Sequence, residues 1–342
     1  MSGQHIRTHR LKHVGRFGLA AAVGISMVST AAVFRSELHD IATMIRPRTL
    51  LLAALLTVSY RILNAVNWGL VLRGISANLA YRHAARIWLT SEACRWLPGS
   101  LWSYGSRGVQ AATAGVPRSL AAFSLPLELL LTITAWFATA AIFLFPHSEI
   151  LATVLPATTQ PQTSLMGLLL LIALPFIGWS ISRSVRSLRP RLVQRWQHLR
   201  STTVDKKKVT LAGMNYFALC GLNGLALYVV VQSLQPAQSV PVSAVIGVNA
   251  AAWLIGFFAF MAPGGLLVRE GALATMLACW LPLELAVAVS VLWRVLQLSV
   301  ELLCLGAILL FPVAATIRLK LAACRRSISQ AKPDLKTSAE QL

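Results

Sequence analysis

Apolar runs long enough to enter a bilayer alternate with short polar segments along the chain. Stretches at 17–34, 49–72, 119–145, 164–181, 211–232 and 285–312 meet the roughly 18–25 residues that a helix needs to cross a ~30 Å hydrocarbon core. Two further apolar regions, 87–116 and 244–281, are broken in the middle. The first breaks at Pro98 and Gly99, the second at Pro263, Gly264 and Gly265. Proline removes an amide and glycine permits a turn, so a helix can stop and restart there. Helices are the expected element throughout, because hydrocarbon offers no partner to an unpaired backbone group. The alternating strands of a membrane β-barrel do not occur in the sequence. The expected fold class is an all-α polytopic membrane protein, with about six full spans and two Pro-Gly-broken hairpins arranged as an inverted repeat.

Composition agrees with this pattern. Of 342 residues, 56% are hydrophobic and 12% charged, and the mean hydropathy of +0.66 excludes an ordinary soluble domain. The net charge of +20 would suit a nucleic-acid partner, but its distribution follows the positive-inside pattern. Residues 182–210 hold nine Lys or Arg against Asp205 alone, the tail after 312 holds six, and residues 1–16 hold four. The segment 146–163 has no Lys or Arg, and 233–243 has no charged residue. Basic segments placed in the cytoplasm give a tail at 1–16, an integral membrane domain at 17–312 with a cytoplasmic loop at 182–210, and a second tail at 313–342. Both termini are then cytoplasmic, in the cytoplasmic membrane, with 17–34 as a retained first span. Arg35, Arg46 and Arg48 in the first outside loop run against the bias, offset in part by Glu37 and Asp40.

That orientation forces each broken region to return to the face it left. The arm 87–97 is only ~16 Å long as a helix, which favours re-entrance; the arms 244–262 and 265–281 are long enough for their hairpin to reach across. Two repeat halves follow, about 49–145 and 211–312. From span start to proline is 49 residues in one half and 52 in the other; from proline to an intramembrane charge, Glu128 or Arg294, is 30 and 31. Inverted repeats with broken helices near the midplane are a transporter architecture.

Charges inside spans cost roughly 2.5–3.5 kcal/mol each near a helix centre, so they seldom face lipid. Here they fall on polar stripes at helical spacing. Arg61, Asn64 and Asn67 share one face, Ser124, Glu128 and Thr132 a second, and Arg294, Gln297 and Glu301 a third; Asn215 and Asn223 lie on one side of 211–232. Two readings stay open: a hydrophilic groove for a lipid headgroup, or interhelical hydrogen bonds that hold the bundle together. A Glu128–Arg294 ion pair between the halves would serve both. Beyond the breaks, restarted helices present free amides, and Arg107 and Arg269 add forked donors suited to phosphate. The alternative is that Arg269 and Glu270 pair at an interface. Trp88, Trp96 and Trp102 near the first break can act as interfacial anchors. The five cysteines, Cys94, Cys220, Cys279, Cys304 and Cys324, form no CxxC, so no disulfide framework, metal site or cofactor is implied. HExxH, GxSxG and P-loop patterns are absent, and no enzyme activity is expected.

The runs "APGGLLVREGALATML" and "VLWRVLQLSVELLCLGAILL" resemble the second signature of the lysylphosphatidylglycerol synthase transmembrane region, a flippase-like family. The first signature is similar to "RWLPGSLWSYGSRGVQAATAGVPRSLAAFSLPLELL". The resemblance covers roughly 49–312. It places Pro98, Gly99, Arg107 and Glu128 on the first motif and Pro263, Gly264, Gly265, Glu270 and Arg294 on the second. Leu267 stands where the family often has glycine, and Leu129 where arginine is common. The resemblance implies translocation or handling of a lipid, either an anionic or aminoacylated phospholipid or a polyprenyl-linked glycan intermediate. The chain ends about 30 residues after the last span, without room for an aminoacyl-transfer domain, so synthase activity is not implied. Expected partners are membrane lipids and no nucleic acid. The alternative function is a scaffold or assembly subunit for a membrane enzyme of lipid or glycan modification.

Overall fold

Four of the expected spans form long helices. The computed structural model describes residues 45–96, 102–147, 204–234, 240–259, 265 and 267–308. The expected spans 17–34 and 164–181, the basic loop before 204, and Pro98, Gly99, Pro263 and Gly264 lie outside the described residues. In chain order the helices are α1 (Pro47–Gly74), α2 (Tyr81–Glu92) closed by a 3-10 turn (Ala93–Trp96), α3 (Trp102–Thr113), α4 (Arg118–Leu144), α5 (Lys206–Leu234), α6 (Val242–Phe258) and α7 (Val268–Leu277). The last is α8 (Leu283–Ile308). The chain divides into two compact units, Met1–Val300 and Glu301–Leu342, and every contact described below lies within the first.

Helices α1, α4, α5 and α8 are long and apolar enough to cross a membrane, each where an apolar run was expected. Pro47 stands in the first turn of α1, where its missing amide costs nothing. Helix α5 starts five residues ahead of its apolar run, because Asp205 caps it: its carboxylate accepts from the Lys208 amide at 3.2 Å and pairs with Lys208 Nζ at 2.9 Å. The hydrogen bonds from Lys208 hold the Asp205 carboxyl below its usual range.

Long, short, break, short, long is the order in both halves: α1–α2 and α3–α4, then α5–α6 and α7–α8. At 1.5 Å per residue the short helices measure about 18 Å for α2 and α3, 26 Å for α6 and 15 Å for α7. In the second hairpin the helix after the break is shorter than the 265–281 arm the sequence allowed. Helix α7 ends at Leu277, with Ala278 as its C-cap, so the second arm spans only about half of a ~30 Å core.

Helix α1 packs extensively against α5, and α4 against α6. Gly224 permits the closest approach of α5 to α6, since a Cβ there would lie 2.7 Å from Ile246 Cα; small residues at such crossings are the usual device in membranes. Two apolar clusters result. One gathers Val230, Val245, Leu277 and Val289, the other Trp68, Trp136, Ala212 and Leu254. On their outer faces the long helices leave Leu51, Leu55, Leu63, Leu130 and Leu225 exposed. Such a face suits lipid, where apolar side chains need no cover.

Candidate functional site

The polar stripes divide into packing contacts and a cavity. On α1, Arg61, Asn64 and Asn67 are all buried. Asn67 turns to α5: its Nδ2 donates to the Ala212 carbonyl at 3.0 Å, and Asn215 Nδ2 donates to Asn67 Oδ1 at 3.2 Å. These two asparagines join helices. Ser124 donates to its own helix at Ala121 O. Asn223 accepts from Nδ2 of Asn249 on α6 at 2.9 Å; Asn249 lies in an apolar run and carried no signal of its own beyond being a buried amide.

The first break sets Arg107 between two acids. Its Nη2 donates to Glu92 Oε1 at 2.7 Å, its Nη1 to Glu128 Oε1, and its Nε to Ser91 Oγ at 3.0 Å. The guanidinium also sits 5.0 Å from the Trp88 ring and 5.2 Å from the Tyr104 ring, within cation–π range. Trp88 is not an interfacial anchor: it is buried, and its indole donates to Glu128 Oε1 at 2.9 Å. Trp102 is 58% exposed, as an anchor would be, and the Trp96 side chain lies outside the described residues. Arg95 joins at 3.2 Å from Glu92 and Arg61 at 3.9 Å. The one sign of this network in the sequence is the i, i+3 spacing of Glu92 and Arg95.

The second break repeats the device with the charges exchanged. Glu270 on α7 pairs with Nε of Arg294 on α8 at 3.1 Å. Glu128 and Arg294 thus take partners from their own halves, and the expected pair between halves does not form. Side chains from restarted helices reach back before the next long helix could meet its counterpart. Arg269 points elsewhere, and its buried Nη2 has no hydrogen-bond partner. It is held by an unusually close backbone contact. A Cβ on Gly256 would meet Arg269 Cβ at 2.8 Å, and Gly265, at φ +70°, lies so near Gly256 that a Cβ would come within 2.9 Å of its carbonyl oxygen. Only glycine fits both places.

Arg61, Arg95, Arg107, Arg269 and Arg294 all line one cavity, with Glu92 and Glu128 as its carboxylates. That is a formal excess of three positive charges, and still two when Glu270, behind Arg294, is counted. Asn64, Thr132, Asn223 and Gln297 add neutral polar groups, and Trp136, Trp253 and Phe257 form an apolar wall. Both halves of the chain contribute. Asn215 is not among the lining residues, and Glu301 opens the second compact unit. Such a cavity can hold an anionic polar group at bilayer depth against forked donors.

Membrane-length helices, apolar outer faces and a charged interior define an integral membrane protein with a polar cavity between broken hairpins. The chain belongs to the Lysylphosphatidylglycerol synthase TM region family, which matches residues 17–331. The match includes the candidate spans at 17–34 and 164–181. Membership makes this a membrane protein involved in lipid handling. Comparison with curated proteins gives no match.

Proposed function

We propose that the protein translocates an anionic lipid across the cytoplasmic membrane without covalent chemistry, its headgroup passing through the arginine-lined cavity while the two halves stand in inverted orientation. The observation that carries this is Arg269. An arginine with a buried, unpartnered Nη2 in a cavity already rich in positive charge lacks an anion of its own, and a phosphodiester supplies the matching acceptors. Arg107, by contrast, is saturated by Glu92 and Glu128 and serves to shape the cavity. The positive-inside bias of the sequence supports cytoplasmic termini.

Reconstitution into vesicles with fluorescent phosphatidylglycerol in one leaflet tests the proposal. Wild-type protein accelerates exchange between leaflets, and Arg269→Gln slows it by on the order of tenfold, the worth of one charge-assisted hydrogen bond. Unchanged exchange in the variant would leave the assembly-subunit role, in which co-purification with a membrane enzyme is expected.

A further inference from the structure

We infer that the acyl chains of the transported lipid leave the cavity along an aromatic strip between α4 and α6, with Phe137 at its bilayer end. The inference rests on the headgroup reading above. Trp136 of α4 stacks on Trp253 of α6 at 4.8 Å and 9°, and Trp253 stacks on Phe257 at 5.2 Å and 8°. These three rings form the apolar wall of the cavity. Phe257 meets Phe258 edge-on at 5.5 Å, and Phe258 meets Phe137 at 6.4 Å. Phe137 is 43% exposed on the outer surface of a membrane-length helix. One unbroken line of rings therefore joins the charged interior to the lipid-facing surface.

A line of rings that runs on from the cavity wall to the lipid-facing surface suits an amphiphile, since its chains must stay in hydrocarbon while its headgroup is within the protein. The geometry matches an amphiphile of this kind. Helices α4 and α6 run antiparallel, with Leu144 opposite Gly247 and Trp136 opposite Trp253. At Gly247 the seam is tight, a Cβ there falling 2.6 Å from Leu144 Cδ2. At the other end Trp253, Phe257 and Phe258 are only half-buried, so their rings keep open surface. Gly256 sits among these rings and holds Arg269, which puts the strip directly beside the phosphate contact.

The test replaces Phe137 with the photoreactive p-benzoylphenylalanine, and in a second variant Leu63, exposed on α1, for comparison. Each is reconstituted in equal parts phosphatidylcholine and phosphatidylglycerol and irradiated, and the captured lipid is identified by mass. Position 137 is expected to capture phosphatidylglycerol with an enrichment on the order of tenfold, one charge-assisted contact's worth, and position 63 to capture both lipids in their bulk ratio. Arg269→Gln should abolish the enrichment at 137. Bulk-ratio capture at 137 overturns the strip while leaving headgroup transport intact if leaflet exchange still depends on Arg269. Enrichment that survives Arg269→Gln overturns both.

Discussion

Arg107 and Glu128, from the two helices that follow the first break, form an ion pair with 1% and 3% exposure. Glu270 and Arg294 occupy the same places after the second break with the charges reversed. In each half the restarted helix is thereby fastened to the long helix that follows it, and the cavity lies between the fastened pairs. Such pairs are poor sources of net stability compared with apolar packing, yet breaking one strands a buried charge. They fix an arrangement more than they strengthen it.

Glu128→Gln and Glu92→Gln should each cost about 1–3 kcal/mol, since either acid alone still neutralises Arg107. The double variant should cost more than the sum, because Arg107 is then buried without a counter-charge. Unfolding of the purified protein in mixed micelles measures all three. Strict additivity would show that the two acids do not share Arg107.

Arg269 and Arg294 should separate function from folding. Arg294→Ala strands Glu270 and is expected to lower stability by about 3–5 kcal/mol, so its transport defect is uninterpretable alone. Arg269→Gln removes a guanidinium whose Nη2 has no partner and should leave the unfolding midpoint unchanged within a degree or so, while leaflet exchange falls. A large fall in midpoint for Arg269→Gln would make it a structural residue.

The asparagines of the α1–α5 contact should behave in the opposite way. Asn67 and Asn215 hydrogen-bond across the helix pair and do not line the cavity. Asn67→Leu is expected to cost about 0.5–1.5 kcal/mol, the usual range for such bonds in membranes, with leaflet exchange per folded molecule unaltered. A transport defect without a stability change would place Asn67 on the substrate path.

What the sequence disclosed follows from what each force leaves visible in one dimension. The long helices were legible because crossing a bilayer demands an apolar run of fixed length, and α1, α4, α5 and α8 lie where those runs are. Glu128 and Arg294 stood out because charge is rare in such runs. Arg107 and Glu270 were candidates too, but not as their partners, since that pairing is set by the way a short helix folds back, which no periodicity records. Trp88 has the composition of an interfacial anchor and the environment of a core residue, and only its indole contact with Glu128 separates the two. Glu92 is a charge inside the apolar arm 87–97, and only the fold-back that brings Arg107 Nη2 to 2.7 Å from it makes it part of the site.

Leu267 is one of the two departures from the family's motif, and the backbone shows what it costs. The residue just before α7 has φ +65° and ψ −38°, near the strained γ-turn region that side chains with a Cβ avoid. Glycine, common at this place in the motif, enters that conformation freely. The Leu267 side chain is 66% exposed, so replacing it forfeits little packing. Leu267→Gly should therefore stabilise the protein by about 1 kcal/mol, the strain relieved less the added freedom of glycine in the unfolded chain. Leu267→Ala keeps the Cβ and should give no gain, which makes it the control. Because Arg269 lies two residues further on, the same pair of variants also reports on function. If the strain aims Arg269 into the cavity, Leu267→Gly will be more stable and slower in leaflet exchange; if glycine merely eases the turn, exchange will keep its wild-type rate.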